Sequence, residues 1–472
     1  ERHVRWCERE EKVLPTRLVY KDWWIIMTAR NIAYKVLLDI EKNSNYSNIA
    51  LNKFLKDSKL TNKDRGLATE IVYGVVANKR TLDYMINKKS KIKVKKMNHS
   101  VKIILRMGVY QLLYLDRVAD YGVIDEAVKM MKKIDRRSSG FVNAILRNIS
   151  REKDSILDLD DSYKNLAIKY SYEDWIVDRI SDQYGKERTS NILAALSIRP
   201  RIFLRINRNK LRDGENLSDL KKYIVDRLEK DGVIVRDRHI LEEAIEVENF
   251  KQIENKDLFK SGYISVQDIS SMMVARALNP KKNSKVLDLC AAPGGKSCHI
   301  GEMMKDSGSV LACDVFDHKI KLIKAYSNRL GLTNIEACIN NAMVLNEDYV
   351  GAFDYVVCDV PCSGMGIVRR KPEIKYKKKE DVDSLPKIQR KILDNAAKYI
   401  KKDGVLIYST CTIFKEENIE LIEEFLKDNK EFKLESIENL PFERERLDKG
   451  YLEIIPDRDD MDGFFICRMK KI

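Results

Sequence analysis

The chain has 472 residues, 44% hydrophobic and 34% charged, a balance typical of a soluble globular protein with several domains. No apolar run reaches the ~18 residues that a membrane-spanning helix needs, which argues against an integral membrane protein. The net charge of +14 favours a polyanionic partner, although a generally lysine-rich composition would give the same value. The cysteines form no C-x-x-C pair, so no metal site is expected, and free thiols suit the reducing cytoplasm. The chain is expected to be a monomer.

The N-terminal third of the chain has helical patterns. Residues 1–26 hold three of the four tryptophans and are interpreted as a disordered or non-native extension, the alternative being a genuine N-terminal arm. Residues 27–150 form a predicted helical domain, in which residues 101–115 are apolar almost all round, as in a central buried helix. The lysine-rich run at 88–96 is either a solvated loop or a phosphate contact. Residues 151–199 are expected to be a helical linker region.

The pattern changes at Pro200. Residues 201–206 alternate like a strand, 217–231 resemble a helix and 233–235 a short strand, which predicts a small α/β module over residues 200–264. Further on, strands are predicted at 285–290, 309–314, 354–359, 405–410 and 463–467, with helices beginning near 294, 317, 384 and 415. This alternation over residues 265–472 predicts a mostly parallel sheet with helices on both faces.

The first strand of that sheet leads into a glycine-containing turn and a helix. A phosphate-binding Walker A loop would need glycine where Cys290 stands, and the dinucleotide fingerprint G-x-G-x-x-G is absent. Glycines let a ligand approach the backbone, and the helix N-terminus offers free N–H groups. The remaining interpretation is a nucleoside site formed by Cys290, Ala291, Ala292, Pro293, Gly294, Gly295 and Lys296.

Two polar residues after later strands would complete the nucleoside site. Asp314, about 20 positions on at the end of the second strand, is placed to hold ribose hydroxyls. Its alternative role is to cap the following helix. Asn341 follows the third strand, and its side-chain oxygen could accept a hydrogen bond from the exocyclic amine of the base. As a lone asparagine in a loop, Asn341 is weaker support.

Two cysteine motifs end later strands on the same edge of the predicted sheet. One runs from Asp359 to Cys362 and the other surrounds Cys411, so both thiols and one carboxylate should converge beside the nucleoside. The alternative is that the cysteines are buried and structural, which we accept for those within or at the ends of strands. These are Cys290, Cys313, Cys338, Cys358 and Cys467. A cysteine protease would need a histidine partner, and no motif surrounds His299 or His318.

Together these motifs resemble the Sun/Fmu/NOL family of RNA cytosine-5 methyltransferases. The matching segments are C-A-A-P-G-G-K at 290–296, D-V-P-C at 359–362, T-C at 410–411 and D-G-F-F at 462–465. The N-terminal part is similar to NusB-like RNA-binding domains at V-Y-G (72–74), L-R-M-G-V-Y-Q-L (105–112) and F-V-N-A-I-L-R-N (141–148). The resemblance covers the chain from about residue 27 to its C-terminus.

The resemblance implies a fold and an activity. The fold is a Rossmann-like methyltransferase domain with a mostly parallel seven-stranded sheet, preceded by an all-α NusB-like domain and an RNA-binding α/β module. The implied reaction is methylation of a 16S rRNA cytosine, with position 967 implied by the fusion to NusB and S-adenosylmethionine as the donor. Another rRNA or tRNA cytosine, or a non-catalytic role in RNA binding and assembly, is the alternative. A small-molecule methyltransferase would not need the NusB-like part.

The resemblance also implies residue roles. Residues 290–296, Asp314, Asn341 and Asp359 would contact the donor, although the family usually has Asp at the position of Asn341. Cys411 would be the nucleophile, since addition of a thiolate to C6 of cytosine makes C5 able to accept a methyl group. Asp359 could stabilise the N3/N4 edge. A base must then remove the C5 proton, and Cys362 is placed to assist that elimination.

A basic segment follows the first cysteine motif. Cationic side chains there could hold RNA phosphates and an aromatic ring could stack on a base. The alternative is a solvated charged loop. The predicted RNA contacts are Arg369, Arg370, Lys371, Lys375 and Tyr376.

Overall fold

The computed structural model describes residues 28–472 except 44–45, 57, 117, 157–158, 161, 237–239, 249, 251–252 and 254–255. The extension predicted at residues 1–26 lies outside the described residues. The chain divides into two compact units, one containing the described residues up to Ser197 together with 368–381, and the other residues 198–367 and 382–472. Within the described ranges, no helix is long and apolar enough to cross a membrane.

The first unit is helical. Its central helix, predicted at residues 101–115, begins at His99, where the Asn98 side chain accepts a hydrogen bond from the Val101 amide. Nearly every residue of this helix from Val101 to Leu112 is buried, because neighbouring helices surround it. The helices are α1 (Ala29–Asn43), α2 (Ser47–Lys56), α3 (Asn62–Ala77), α4 (Lys79–Lys89), α5 (His99–Tyr114), α6 (Asp120–Ile134), α7 (Ser139–Arg151), α8 (Lys153–Ile156), α9 (Tyr163–Lys169), α10 (Asp174–Tyr184) and α11 (Lys186–Ala195).

A segment from far along the chain completes the first unit. Residues 368–381 include a 3-10 turn at Pro372–Tyr376, which packs against α3. The Lys375 ammonium is buried and donates to the carbonyl oxygens of Ala77 at 3.1 Å and Tyr170 at 2.9 Å. The Tyr376 ring packs against the helical core, and its hydroxyl accepts from the Lys79 amide at 3.1 Å. The prediction that these two side chains contact RNA is therefore wrong, because their polar atoms are engaged inside the unit.

The second unit begins with the small α/β module. Its strands are β1 (Ile202–Ile206), β2 (Ile234–Arg236), β3 (Ala244–Glu248) and β4 (Ile264–Val266), and its helices are α12 (Leu217–Lys230) and α13 (Asp257–Lys260). The strands form an antiparallel sheet in the order β2-β3-β1-β4. Apolar side chains of α12, including Leu220, Ile224 and Leu228, join the core under this sheet.

The larger sheet lies in the rest of the second unit. Its strands are β5 (Lys285–Asp288), β6 (Ser309–Asp314), β7 (Ile335–Ile339), β8 (Phe353–Asp359), β9 (Ile400–Thr410), β10 (Phe432–Leu434), β11 (Tyr451–Ile454) and β12 (Phe464–Lys471). The helices are α14 (Ile269–Leu278), α15 (Gly295–Met303), α16 (Asp317–Leu330), α17 (Lys379–Asp383), α18 (Leu385–Tyr399), α19 (Ile419–Asp428), α20 (Arg444–Leu447) and α21 (Pro456–Asp459).

The topology of this sheet confirms the predicted fold class. The order is β10-β12-β9-β8-β5-β6-β7, with β5 to β9 all parallel and β12 antiparallel to β9. Alternate residues of β9 face opposite layers, Val405 and Ile407 towards α14, and Leu406 and Tyr408 towards α18. The sheet has eight strands rather than the predicted seven, because β10 and β11 both pair with the outer edge of β12.

Candidate active site

The site lies at the carboxyl ends of β5, β6, β8 and β9. Because these strands are parallel and neighbouring, residues that follow them meet at one edge, with Asp288 paired to Val357 and Asp359 to Ser409. The strand order reverses between β5 and β8, since the chain proceeds from β5 to β6 on one side and continues through β8 on the other. Such a reversal is where α/β sheets bind their ligands.

The predicted nucleoside loop joins β5 to the N-terminus of α15. Gly294 has a φ of +106°, a backbone conformation that favours glycine, and a Cβ atom there would lie 3.2 Å from the Cα of Ile323, which would have to shift. The Ala291 amide donates to the Cys313 carbonyl at 2.8 Å, which fixes the loop against β6. The loop therefore presents backbone and the start of a helix in a fixed geometry, as a nucleoside site requires.

Asp288, at the end of β5, is a site residue that the sequence reasoning missed. Its side chain is fully buried, and Oδ2 accepts from the Ser297 hydroxyl at 2.7 Å, whereas Oδ1 has no hydrogen-bond partner among the described residues. Burial raises the pKa of this carboxyl to about 6. The signal in the sequence is a carboxylate inside the apolar strand V-L-D-L. An open buried acceptor beside the loop fits a ligand that brings a hydrogen-bond donor.

The two predicted nucleoside contacts differ in environment. Asp314 is nearly buried at the end of β6, where it accepts from the Val315 amide at 2.8 Å and lies 3.2 Å from the Lys319 ammonium. The following helix starts at Asp317 with Phe316 at its N-cap, so Asp314 does not have the alternative capping role.

Asn341 is exposed after β7, and its Oδ1 accepts from the Met343 amide at 3.0 Å. This bond closes a local turn. The preceding residue, Asn340, was not predicted as a site residue. Its Nδ2 is buried and has no hydrogen-bond partner in the described structure. The side-chain amide donor that is open after β7 therefore belongs to Asn340, the neighbour of the predicted Asn341.

Asp359 is held between two side chains. Its Oδ2 accepts from the Lys296 ammonium at 2.6 Å and its Oδ1 accepts from the Ser409 hydroxyl at 2.8 Å. Burial alone would lower the pKa of Lys296, but the charges of Asp359 and Asp288, together with Cys411, raise it, so the side chain stays cationic. The structure thus brings a carboxylate, an ammonium group and a hydroxyl group together at the strand ends.

The two predicted catalytic cysteines lie side by side. Their Sγ atoms are 3.1 Å apart, and the Cys411 amide donates to the Cys362 sulfur at 3.3 Å. The neighbouring Cys411 sulfur and burial raise the pKa of the Cys362 thiol well above its usual value. Both side chains are half-buried, whereas Cys358 and Cys467 are fully buried in the sheet.

Close backbone contacts hold the loop that carries Cys362. The Gly366 amide donates to the Cys411 carbonyl at 3.0 Å, and the Gly463 amide donates to the Gly366 carbonyl at 2.9 Å. A Cβ atom on Gly366 would lie 1.9 Å from the Gly463 carbonyl oxygen. The backbone at residue 366 therefore has no room for a side chain, and the two cysteine loops are held against the start of β12.

The basic residues after this loop divide into two groups. Lys375 and Tyr376 are engaged within the first unit, as described above. Arg369 and Arg370 are partly exposed and Lys371 is exposed, with its ammonium 6.0 Å from the centre of the Tyr46 ring. For these three residues, RNA contact remains a prediction.

Comparison with known proteins gives matches along most of the chain. Three family models match it, described as the NusB family (residues 27–151), a Methyltr_RsmF/B-like ferredoxin-like domain (172–254) and 16S rRNA methyltransferase RsmB/F (275–470). The chain is 40% identical over 455 residues to the "Probable ribosomal RNA small subunit methyltransferase B" of Bacillus subtilis (strain 168). That match covers 94% of this chain and 99% of the relative.

Two solved structures share the fold. The crystal structure of PH0851 superposes with a TM-score of 0.76 at 24% identity, covering 95% of this chain and 100% of that chain. The structure of NSun6 from Pyrococcus horikoshii with SFG gives a TM-score of 0.55 at 19% identity, covering 63% of this chain and 97% of that chain. At these identities the two structures support the architecture of the chain rather than any residue role.

Proposed function

We propose, since this chain belongs to the ribosomal RNA small subunit methyltransferase B family, that it methylates C5 of a cytosine in 16S rRNA with S-adenosylmethionine as donor. The proposed position is cytosine 967, which the family resemblance implies. The observation that carries the proposal is the pair of sulfurs 3.1 Å apart, next to the Asp359–Lys296 pair and the nucleoside loop.

The residues at the edge suit the proposed donor. S-adenosylmethionine, when bound, supplies an electrophilic methyl group on a sulfonium. Residues 290–296 would surround its nucleoside, and the Asp314 carboxylate could accept hydrogen bonds from the ribose hydroxyls. The open Oδ1 of Asp288 offers an acceptor at the end of β5, and the Nδ2 of Asn340 offers a donor after β7. Asn341 is a further proposed contact.

Cys411 would start the chemistry. A lone pair on its sulfur would form a bond to C6 of cytosine, and the C5=C6 π electrons would become available at C5. C5 would then bond to the methyl group, while the electron pair of the broken sulfonium–methyl bond would leave with the donor's sulfur as a neutral thioether. The thiolate is the attacking form of a cysteine, and the charge of the Lys296 ammonium interacts with Cys411. Asp359 would stabilise the N3/N4 edge of the base as charge develops there.

Elimination would end the cycle. A base would accept the C5 proton, the C5–H bonding pair would restore the C5=C6 double bond, and the C6–S bond would break with its electron pair returning to Cys411. Cys362, whose sulfur adjoins that of Cys411, would assist this release. Without release the protein would remain covalently attached to its RNA.

The target base must leave its stack to reach this edge of the sheet. Arg369, Arg370 and Lys371 follow the Cys362 loop in the chain and would hold RNA phosphates. The NusB-like helices and the small α/β module would add further RNA contacts, which fits the net charge of +14.

Bisulfite mapping of rRNA tests the proposal. RNA from cells with and without the protein should differ at one 16S cytosine, and a Cys411→Ala variant should restore none of the methylation. Cys362→Ala should accumulate a covalent protein–RNA adduct, and Cys338→Ala, on the edge strand β7, should behave as wild type. Methylation of a tRNA cytosine instead would correct the substrate, and methylation by Cys411→Ala would overturn the mechanism.

A further inference from the structure

Glu417 and Asn418, two consecutive residues, contact the loops that carry Cys362 and Cys411. Glu417 ends the short 3-10 turn Lys415–Glu417, and Asn418 precedes α19. Their side chains are almost fully buried, at 0% and 3% exposure. Buried polar side chains are costly unless they form hydrogen bonds, so the bonds of these two residues indicate what they hold in place.

Glu417 fixes the backbone on both sides of Cys362. Its Oε2 accepts from the Ser363 amide at 2.8 Å and from the Gln389 side-chain amide at 2.9 Å. The same Gln389 nitrogen donates to the Pro361 carbonyl at 3.0 Å. The residues immediately before and after Cys362 are thus held through one carboxylate oxygen and one amide group.

Asn418 holds Cys411 in the corresponding way. Its Oδ1 accepts from the Thr410 hydroxyl at 2.6 Å, and its Nδ2 donates to the Thr412 carbonyl at 3.0 Å. These are the residues immediately before and after Cys411. A further direct bond joins the two loops, between the hydroxyls of Ser363 and Thr412 at 2.7 Å.

We propose that Glu417 and Asn418 are positioning residues for two different steps, with Glu417 acting through Cys362 on release and Asn418 acting through Cys411 on attack. The inference rests on the proposed function, because it assigns each residue to a step of that reaction. Its physical basis is that reacting groups must be held within about 0.5 Å of a productive geometry, which buried hydrogen bonds achieve.

A positioning role and a merely structural role of Glu417 and Asn418 predict different kinetic results. If the two residues only stabilised the fold, replacing either would reduce both steps together, in proportion to the loss of folded protein. If they position different sulfurs, the two replacements should affect different steps. Measuring adduct formation and adduct release separately therefore distinguishes the two roles.

The experiment uses the full chain, in vitro transcribed 16S rRNA and S-adenosylmethionine under single-turnover conditions. Denaturing gels follow the covalent adduct, and methylated RNA is measured in parallel. Since a 1 Å misplacement can cost about 10²-fold in rate, Glu417→Leu should slow release by about 10- to 100-fold, and adducts should accumulate. Asn418→Leu should slow adduct formation by a similar factor without accumulation.

Additional variants keep the test decisive if a leucine variant does not fold. Gln389→Leu removes the other half of the contact around Cys362, and Thr410→Val removes the hydroxyl that Asn418 accepts from. Glu417→Gln retains an acceptor oxygen and should restore rapid release. Glu424→Leu, on the exposed side of α19, is the matched control and should leave both steps unchanged.

The outcomes separate this inference from the proposed function. Accumulation of adduct in Glu417→Leu but not in Asn418→Leu would support it. Equal slowing of both steps in both variants, or no change in either, would overturn it while leaving the proposed function intact if Cys411→Ala is inactive. Methylation by Cys411→Ala would instead overturn the proposed function itself.

Discussion

Replacing Lys375 by methionine should change how the stability of the first unit depends on pH. The Lys375 ammonium is 4% exposed and bonds two carbonyl oxygens, those of Ala77 and Tyr170. Burial lowers its pKa to about 7 from the usual 10.5. Between these values the unfolded chain binds more protons than the folded one, so the contribution of Lys375 to stability rises as the pH increases.

The magnitude follows from the two pKa values. Between pH 7 and pH 9, a shift from 10.5 to about 7 increases the unfolding free energy by about 2 kcal/mol. Methionine cannot titrate, so the variant lacks this increase. The difference in stability between wild type and Lys375→Met should therefore move by about 2 kcal/mol in favour of wild type over this pH range.

The assay is denaturant unfolding followed by the fluorescence of Trp175. The Trp175 indole donates to the Lys377 carbonyl at 3.1 Å and so reports on the packing of this segment. Phenylalanine at positions 6, 23 and 24 leaves Trp175 as the sole tryptophan of the chain. A stability difference that stays constant between pH 7 and pH 9 would refute the argument that burial of Lys375 disfavours its charged form.

Three further predictions concern the site. Arg369→Glu with Arg370→Glu should weaken RNA binding and make the plot of log affinity against log salt concentration less steep by at least about 1.4. Lys375→Met should leave RNA affinity unchanged. Asp314→Ala should weaken S-adenosylmethionine binding by roughly 10- to 100-fold in calorimetry, because a hydrogen bond to a charged group contributes about 1.5–3 kcal/mol; Asp317→Ala, on the exposed start of α16, should not. Gly366→Ala should abolish methylation, since its Cβ would lie 1.9 Å from a backbone oxygen. Gly122→Ala, with open space around it, should leave methylation unchanged. An unchanged rate in Gly366→Ala would contradict the close packing of the cysteine loops.

The sequence was informative where local pattern determines structure. Buried parallel strands appear as continuous apolar runs, and the residues that follow them lie at one edge of the sheet by geometry alone. This is why the strand pattern sufficed to place Cys362, Cys411 and Asp359 together. Asp288, a lone carboxylate in the apolar strand β5, could have been predicted in the same way. It was missed because the glycine turn after it indicated residues 290–296 more clearly as a ligand site.

Contacts between distant parts of the chain could not be predicted in this way. Lys375 bonds to Ala77, which lies 298 positions earlier, whereas its basic neighbours in the sequence suggested an exposed RNA-binding loop. Glu417 and Asn418 likewise depend on partners that the fold brings together from separate loops. The strands β10 and β11 were not predicted, because segments of three and four residues are too short to show a strand pattern.

Trapping the reaction with 5-fluorocytidine tests the role of Cys411 most directly. Fluorine at C5 of the target base blocks the final elimination, because it cannot leave as a proton does. After methyl transfer the RNA should therefore stay attached, and mass spectrometry should find the modified nucleotide on the peptide that contains Cys411. Attachment to Cys362 instead would reverse the two cysteine roles, and the absence of any adduct despite methylation of ordinary RNA would contradict covalent catalysis.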